Sequence, residues 1–544
     1  MSSSGSGDRT LAAPTAYTRN ATGLVRELRL VDFFAYTIAS GTPLTSVLIL
    51  GLFTVAVFPK MNFFLALLIS GVVSIPVLIT FALLTATFPK LGGDYIFNSR
   101  ILHPAIGFGV NLGFILAQSL VAGTAAAFVS ELALNPTLLT IGSVTGNSTF
   151  TSWASYFTVS NGNGVFITST ICILLISILA AIRTKLLFRV MTIMLAIFTV
   201  AALVSVVIML FTSQSDFANT FNRVAGADAY QKVVDAGANK GLYPSEGGYS
   251  FSNTVGAMFY AIGWFIFMFW GTYIAVEVRR AGQRGRMLWA MVGGGVVQIV
   301  VVLLSLIAFY HAVGENFAIS ATAGNQTSGI ASFPYYAALA TGNSTLAIIL
   351  AIGLMFWTIP LINIFLSVMQ RGFFVYAFER LLPSWVASVN QRTHTPLVAV
   401  AIAAGLAILG AAFNAYNANF ATALTLATFP SFVVILVVGI AATVMSRRRR
   451  DLFEGSPADW SVAGVPVLML AGTLSIIVVG IFIIVPFFYQ QQVGLAIRPW
   501  LPWATAITPV ALIAIGVVWW YIAKAVNKSK GIDLDLIYKT IPPD

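Results

Sequence analysis

Apolar residues run along this chain in blocks of about twenty, the length at which a helix crosses a hydrocarbon core of about 30 Å. The blocks fall at 30–58, 62–87, 105–133, 164–182, 188–213, 254–278, 287–313, 345–376, 396–413, 419–445, 463–488 and 504–526, and they predict about twelve transmembrane helices. Composition agrees with the pattern. Of 544 residues 58% are hydrophobic and only 9% charged, with a mean hydropathy of +0.90, against roughly 25% charged in a soluble domain. No polar block between the apolar runs is large enough to fold alone, so the chain reads as one all-α polytopic membrane protein.

Charge then orients it. The chain carries 29 Lys and Arg against 18 Asp and Glu, a net +11. With the N-terminus inside, every Lys and Arg except Lys60, Arg223, Lys232, Lys240 and Arg498 falls on the inner side, a strong positive-inside asymmetry. The expected location is the cell membrane, multi-pass, with both termini cytoplasmic. Asn-x-Ser/Thr triplets at Asn147, Asn325 and Asn343 fall in outer loops and agree weakly, since others at Asn20 and Asn527 fall in inner tails. Residues 1–28 lack the n-region and h-region of a signal peptide and read as a cytosolic tail.

Several chemistries are set aside. Cys172 is the single cysteine, so an intramolecular disulfide is excluded and a thiolate metal cluster or redox couple is not expected. His103 and His394 lie in inner loops far from other ligand types, and no metal or other cofactor is expected. Gly92-Gly93 and Gly293-Gly294-Gly295 lack the strand-then-helix setting of a phosphate loop, which argues against ATP-driven transport. No histidine has the partners of a hydrolytic triad at membrane depth, so an enzyme is not expected.

The longest polar segment, 214–253, reads as an external loop with a short helix. It divides the first ten spans into two fives that enter the membrane from opposite sides, an inverted repeat of the kind secondary transporters use. The expected organisation is a tail at 1–28, a first five-helix repeat at 29–213, the loop, a second repeat at 254–445, two additional helices within 446–526, and a cytosolic tail at 527–544. In such proteins the first helix of each half breaks near the midplane. Span one carries Ser40-Gly41-Thr42-Pro43 near its middle: Pro43 removes an amide, Gly41 admits unusual dihedrals, and the hydroxyls serve exposed backbone. The half-helix beyond it would offer free amides to a carboxylate. Span six has an aromatic stretch from Gly263 to Tyr273 without proline, where a break is permitted but not demanded.

Three stretches resemble the amino acid–polyamine–organocation permeases. Pro89-Lys90-Leu91-Gly92-Gly93-Asp94-Tyr95 is similar to that family's P-x-x-G-G-x-Y loop after span two. The stretch Arg371 to Pro383, followed by Asn390 and Thr395-Pro396, resembles its R-x5-A-x-D-G-x-L-P…N…T-P pattern, with Glu379 for Asp and Arg380 for Gly. Glu277-Val278-Arg279-Arg280 with Arg284 resembles its E-x-K-N-P-x-R end of span six, without the Asn-Pro. The resemblance implies the leucine-transporter-like fold of five plus five helices with two C-terminal additions, and amino acids or related amines as substrates.

Carried over, the substrate carboxylate site falls on Ala39, Ser40, Gly41 and Thr42. The counterpart on span six is open between two alignments: Glu277 in register puts the family's central glycine on Phe267, whereas Gly271 in register leaves the inner end four residues short. Trp264, Phe267, Trp270 and Gly271 are therefore carried together. The lysine that replaces sodium in some proton-coupled relatives falls on Ala196, and coupling to H+ or Na+ stays open, with Thr358 and Ser367 as hydroxyls available to an ion. Glu131, Glu277 and His311, the ionisable groups within the spans, are expected to snorkel or pack near the interfaces. The function expected is a secondary active amino acid transporter working by alternating access on a neutral or apolar amino acid in the lipid bilayer. An uncoupled exchanger or facilitator and a non-transporting receptor on the same fold are the alternatives; a channel is disfavoured because no span carries a continuous polar stripe, and nucleic acid is not an expected partner.

Overall fold

The computed structural model describes residues 28–44, 46–244, 248–324, 333–390, 393, 395–416, 420–495 and 503–539. The triplets at Asn20 and Asn325, the tail before residue 28, and Arg392, His394 and Arg498 lie outside them.

Eleven helices among the described residues are long and apolar enough to cross a membrane: Phe63–Thr87, Pro104–Thr145, Gly162–Ile182, Lys185–Phe211, Phe251–Glu277, Arg284–Val313, Ser344–Phe378, Leu397–Tyr416, Thr428–Arg448, Val467–Phe488 and Ala504–Ser529. These are spans two to twelve in chain order. Span one comes in two shorter pieces, Leu30–Ser40 and Ser46–Val57. The protein is a polytopic all-α membrane protein.

Its surface is apolar where a soluble bundle's would be polar. Ile167, Ile171, Leu174, Ile178 and Ile182 stand exposed on span four, as do Leu470, Leu474, Ile477, Ile481 and Ile484 on span eleven. Their spacing of three and four residues makes one stripe per helix, suited to lipid. Ser169 on span four and Ser475 on span eleven point the other way and are buried. Spans one to four each pack on the span five places later, one on six, two on seven, three on eight and four on nine. Spans ten, eleven and twelve close the bundle, with ten against eleven and twelve against three.

Both described ends lie at one face, here called the terminal face. Leu28 bonds across to helix six (Leu28 N to Glu277 O, 2.9 Å; Arg279 N to Leu28 O, 3.0 Å), and the Tyr538 hydroxyl lies 2.9 Å from that of Tyr95. Three elements differ from the expectation. Span three does not stop at residue 133 but continues to Thr145, because a π turn at Val129–Leu134 absorbs the Asn135-Pro136 step and the proline, at the start of the next helix, needs no amide there. The segment 214–253 holds two short helices rather than one, Gln214–Ala225 and Ala229–Asn239. A further short helix, Asp94–Ile101, occupies the connection between spans two and three.

Candidate functional site

Span one stops as a helix at Ser40 because the next residues cannot continue it. Pro43 has no amide to give, and Thr42 before it takes φ 61° with Leu44 at φ 47°, both in the left-handed region that side chains rarely adopt. Such strain persists only where surroundings hold it. They do so here through Gln298 of span seven, fully buried, whose amide nitrogen donates to the carbonyls of Gly41 (2.9 Å) and Thr42 (2.5 Å) and whose oxygen accepts from Leu44 N (3.1 Å). One side chain thus satisfies three backbone groups that the break exposes. Ser40 Oγ donates back to Thr37 O (2.7 Å), and Ser46 N returns to Pro43 O (3.0 Å) as the helix resumes.

The break lies against span six. A Cβ on Gly41 would stand 2.8 Å from Met268 Cγ and 2.9 Å from Trp264 O; one on Gly271 would stand 2.8 Å from Thr37 Oγ1 and 3.2 Å from the Phe33 ring. Only glycine allows the two helices this approach. Span six itself is overwound rather than broken. It is α-helical from Phe251 to Ile266 and then 3-10 from Phe267 to Glu277, far longer than the three or four residues usual for that helix, which marks strain or a hinge. On this stretch Phe267 stacks on Trp270 (5.1 Å between ring centres), and Trp270 meets Phe365 of span eight edge-on (4.8 Å). The Trp270 indole N–H is buried without a hydrogen-bond partner, as is the Thr272 hydroxyl. Of the expected site residues, Gly41 meets Trp264 and Met268, Gly271 meets Thr37 and Phe33, and Phe267 and Trp270 form a cluster with span eight.

Ala39 faces a narrow crevice between spans one, five and eight, lined also by Asp32, Tyr36, Thr192 and Asn363. Thr358 and Ser367 are both buried on span eight but are not brought to one point: nine residues of helix separate them by about 13 Å. Thr358 Oγ1 bonds to Met355 O (3.2 Å) and Ser367 Oγ to Asn363 Oδ1 (3.4 Å). A single ion cannot touch both, because hard cations take their oxygen ligands within about 2.6 Å.

Towards the terminal face lies a layer of buried charge. Arg371 of span eight pairs with Glu277 of span six (2.5 and 2.9 Å), so Glu277 neither snorkels nor packs alone. Arg100 pairs with Glu379 (2.5 Å), with Tyr95 donating to the same carboxylate and the Tyr538 ring 4.8 Å from the guanidinium. Asp94 is held by Asn111 Nδ2 (3.0 Å to each oxygen) and by the Tyr273 hydroxyl (2.5 Å), while Tyr376 donates to Asn111 Oδ1. Burial pushes the Asp94 carboxyl up from its ordinary 3.8 to about 6, against the opposing pull of the Tyr273, Asn111 and backbone hydrogen bonds.

The sequence model of the Amino acid permease family matches residues 31–525, from the start of span one to the end of span twelve. The chain belongs to that family. It is an amino acid permease of the amino acid–polyamine–organocation superfamily, a family of transporters. No curated protein matches it.

The permease's three motif stretches are the segments that build the charged layer. Asp94 and Tyr95 come from the first, Glu379 from the second and Glu277 from the third, with Arg371 opening the second. Arg380, standing where the motif has glycine, keeps the backbone that glycine would take, with φ 64°. Gln298, Asn111, Tyr273 and Tyr376 escaped the sequence reading. Gln298 and Asn111 are carboxamides inside apolar runs, and that was an available signal; the tyrosines read as ordinary membrane aromatics.

Proposed function

We propose that this permease moves a neutral or apolar amino acid across the membrane by alternating access, binding it between the break of span one and the overwound half of span six. The observation that carries the reading is the strained break at Gly41–Leu44, pressed against Trp264 and Met268 and held closed by the side chain of Gln298. A substrate carboxylate and ammonium exchange for those bonds: backbone donors and acceptors at a helix break suit both ends of an amino acid. The Trp270 N–H, buried without an acceptor, offers a further donor, and the rings of Phe267, Trp270 and Phe365 suit an apolar side chain. Ala39, Ser40, Thr42 and Gly271 complete the walls. Residues 29–213 and 254–445 act as the two moving halves, and the terminal face is the cytosolic one, following the distribution of Lys and Arg.

The test is uptake into liposomes holding the purified protein, with a panel of labelled amino acids under separate sodium and proton gradients and with unlabelled amino acid preloaded. Accumulation of a neutral amino acid supports the reading and names the coupling ion; uptake only against preloaded substrate makes the permease an exchanger. Absence of flux from folded protein that still binds an amino acid favours a receptor.

A further inference from the structure

Asp94 stands at the meeting point of four elements. It opens the short helix Asp94–Ile101, and the side chains around it come from span three (Asn111), span six (Tyr273) and span eight (Tyr376). All four are fully buried, and no cation among the described residues pairs with Asp94. Its charge is balanced only by donated protons.

The direction of those donations is what gives the cluster a function. Tyr376 O–H donates to Asn111 Oδ1; Asn111 N–H donates to both Asp94 oxygens and lies 2.6 Å from the Tyr273 oxygen; Tyr273 O–H donates to Asp94 Oδ1. Three of these donations end on the carboxylate, and Tyr376 steadies Asn111 behind them, so the cage suits the ionised acid. A protonated Asp94 would bring an O–H with no acceptor left for it, unless Tyr273 turned its own proton away. Tyr273 lies on the 3-10 stretch of span six, two residues beyond Gly271, where that helix touches span one. The backbone of Gly93, at φ 52°, is packed so close to Thr272 that a Cβ there would stand 2.6 Å from its hydroxyl. Asp94 and the 3-10 half of span six are therefore mechanically joined.

We propose that Asp94 is the permease's proton-binding site, and that its protonation takes away the acceptor of the Tyr273 O–H and so loosens the hold on the 3-10 half of span six for the conformational change of transport. This rests on the transport reading above and adds to it the coupling ion and the residue that takes it. Among the described residues nearest Asp94, the other two acids, Glu277 and Glu379, are each paired with an arginine. Arg100 and Glu379 neutralise each other, as do Arg371 and Glu277; Tyr95 and Tyr538 join the Arg100 pair, and span ten contributes Arg448 and Arg449, bonded to the carbonyls of Leu102 and Arg100 at the far end of the short helix. The carboxyl, raised to about 6, takes up its proton close to neutral pH rather than in strong acid.

Uptake of the best amino acid of the panel, measured at equal pH on both sides from about pH 5 to about pH 8, compares wild type, Asp94→Asn and Tyr273→Phe. The wild-type rate is expected to rise as pH falls through about 6. Asp94→Asn removes that dependence, and Tyr273→Phe, which takes a donor from the ionised form, moves the midpoint up by about one unit or more. Infrared titration of the purified proteins reads the same site without flux: a carboxylic C=O band that grows in as pH falls and is missing in Asp94→Asn. Wild-type protein with no flux for any amino acid overturns the transport reading. Flux whose pH profile survives Asp94→Asn, an unmoved midpoint in Tyr273→Phe, or, should Asp94→Asn fail to fold, an infrared band that Tyr273→Phe leaves in place, overturns this one.

Discussion

Gln298 is the residue on which the first break depends. Its carboxamide serves Gly41 O, Thr42 O and Leu44 N at once, and it is itself fully buried. Gln298→Leu keeps the bulk and removes all three bonds. Each buried backbone group left without a partner costs about 1–3 kcal/mol, so the variant is expected to lose about 3 kcal/mol or more of stability. Thermal unfolding in detergent checks this, and a melting temperature equal to wild type would show that the break holds itself together. The Ser40-Gly41-Thr42-Pro43 break could be read from the chain because proline and glycine act on their own backbone. Gln298 showed only as a carboxamide in an apolar run: what it does there depends on a segment more than 250 residues away.

Among the elements, spans six and eight are tied by the buried Arg371–Glu277 pair. Removing one partner leaves a charge buried without compensation, which costs about 3–5 kcal/mol, whereas replacing both by apolar residues is close to neutral. Arg371→Met is therefore expected to destabilise strongly and Arg371→Met with Glu277→Leu to recover most of the loss in the same unfolding measurement. Equal damage from the single and double variants would mean the pair is not the link. The overwinding of Phe267–Glu277 was not legible, since 3-10 and α-helices share the same apolar content and differ only in how neighbours press on them. The short helix Asp94–Ile101 was hidden for a related reason: its residues are mixed in polarity yet wholly buried, so burial there follows from packing rather than from hydropathy.

At the scale of the molecule, the twelve spans were visible because the bilayer fixes their length, and the stripes of Ile and Leu on spans four and eleven follow from the same solvent. Orientation rests on the charge asymmetry and can be checked directly. In a Cys172→Ser background, Ser456→Cys after span ten should react with an impermeant thiol reagent only from the cytosolic side, and Ala227→Cys between spans five and six only from outside; the reverse pattern would invert the molecule. Whether an amino acid sits at the break of span one and is exposed to each side in turn can be read from Ser40→Cys in that same background. Its thiol is expected to react with impermeant reagent from either side of sealed proteoliposomes as the protein cycles, and a transported amino acid to slow both reactions. A thiol that stays unreactive from both sides, or reacts at a rate no amino acid changes, would contradict that expectation.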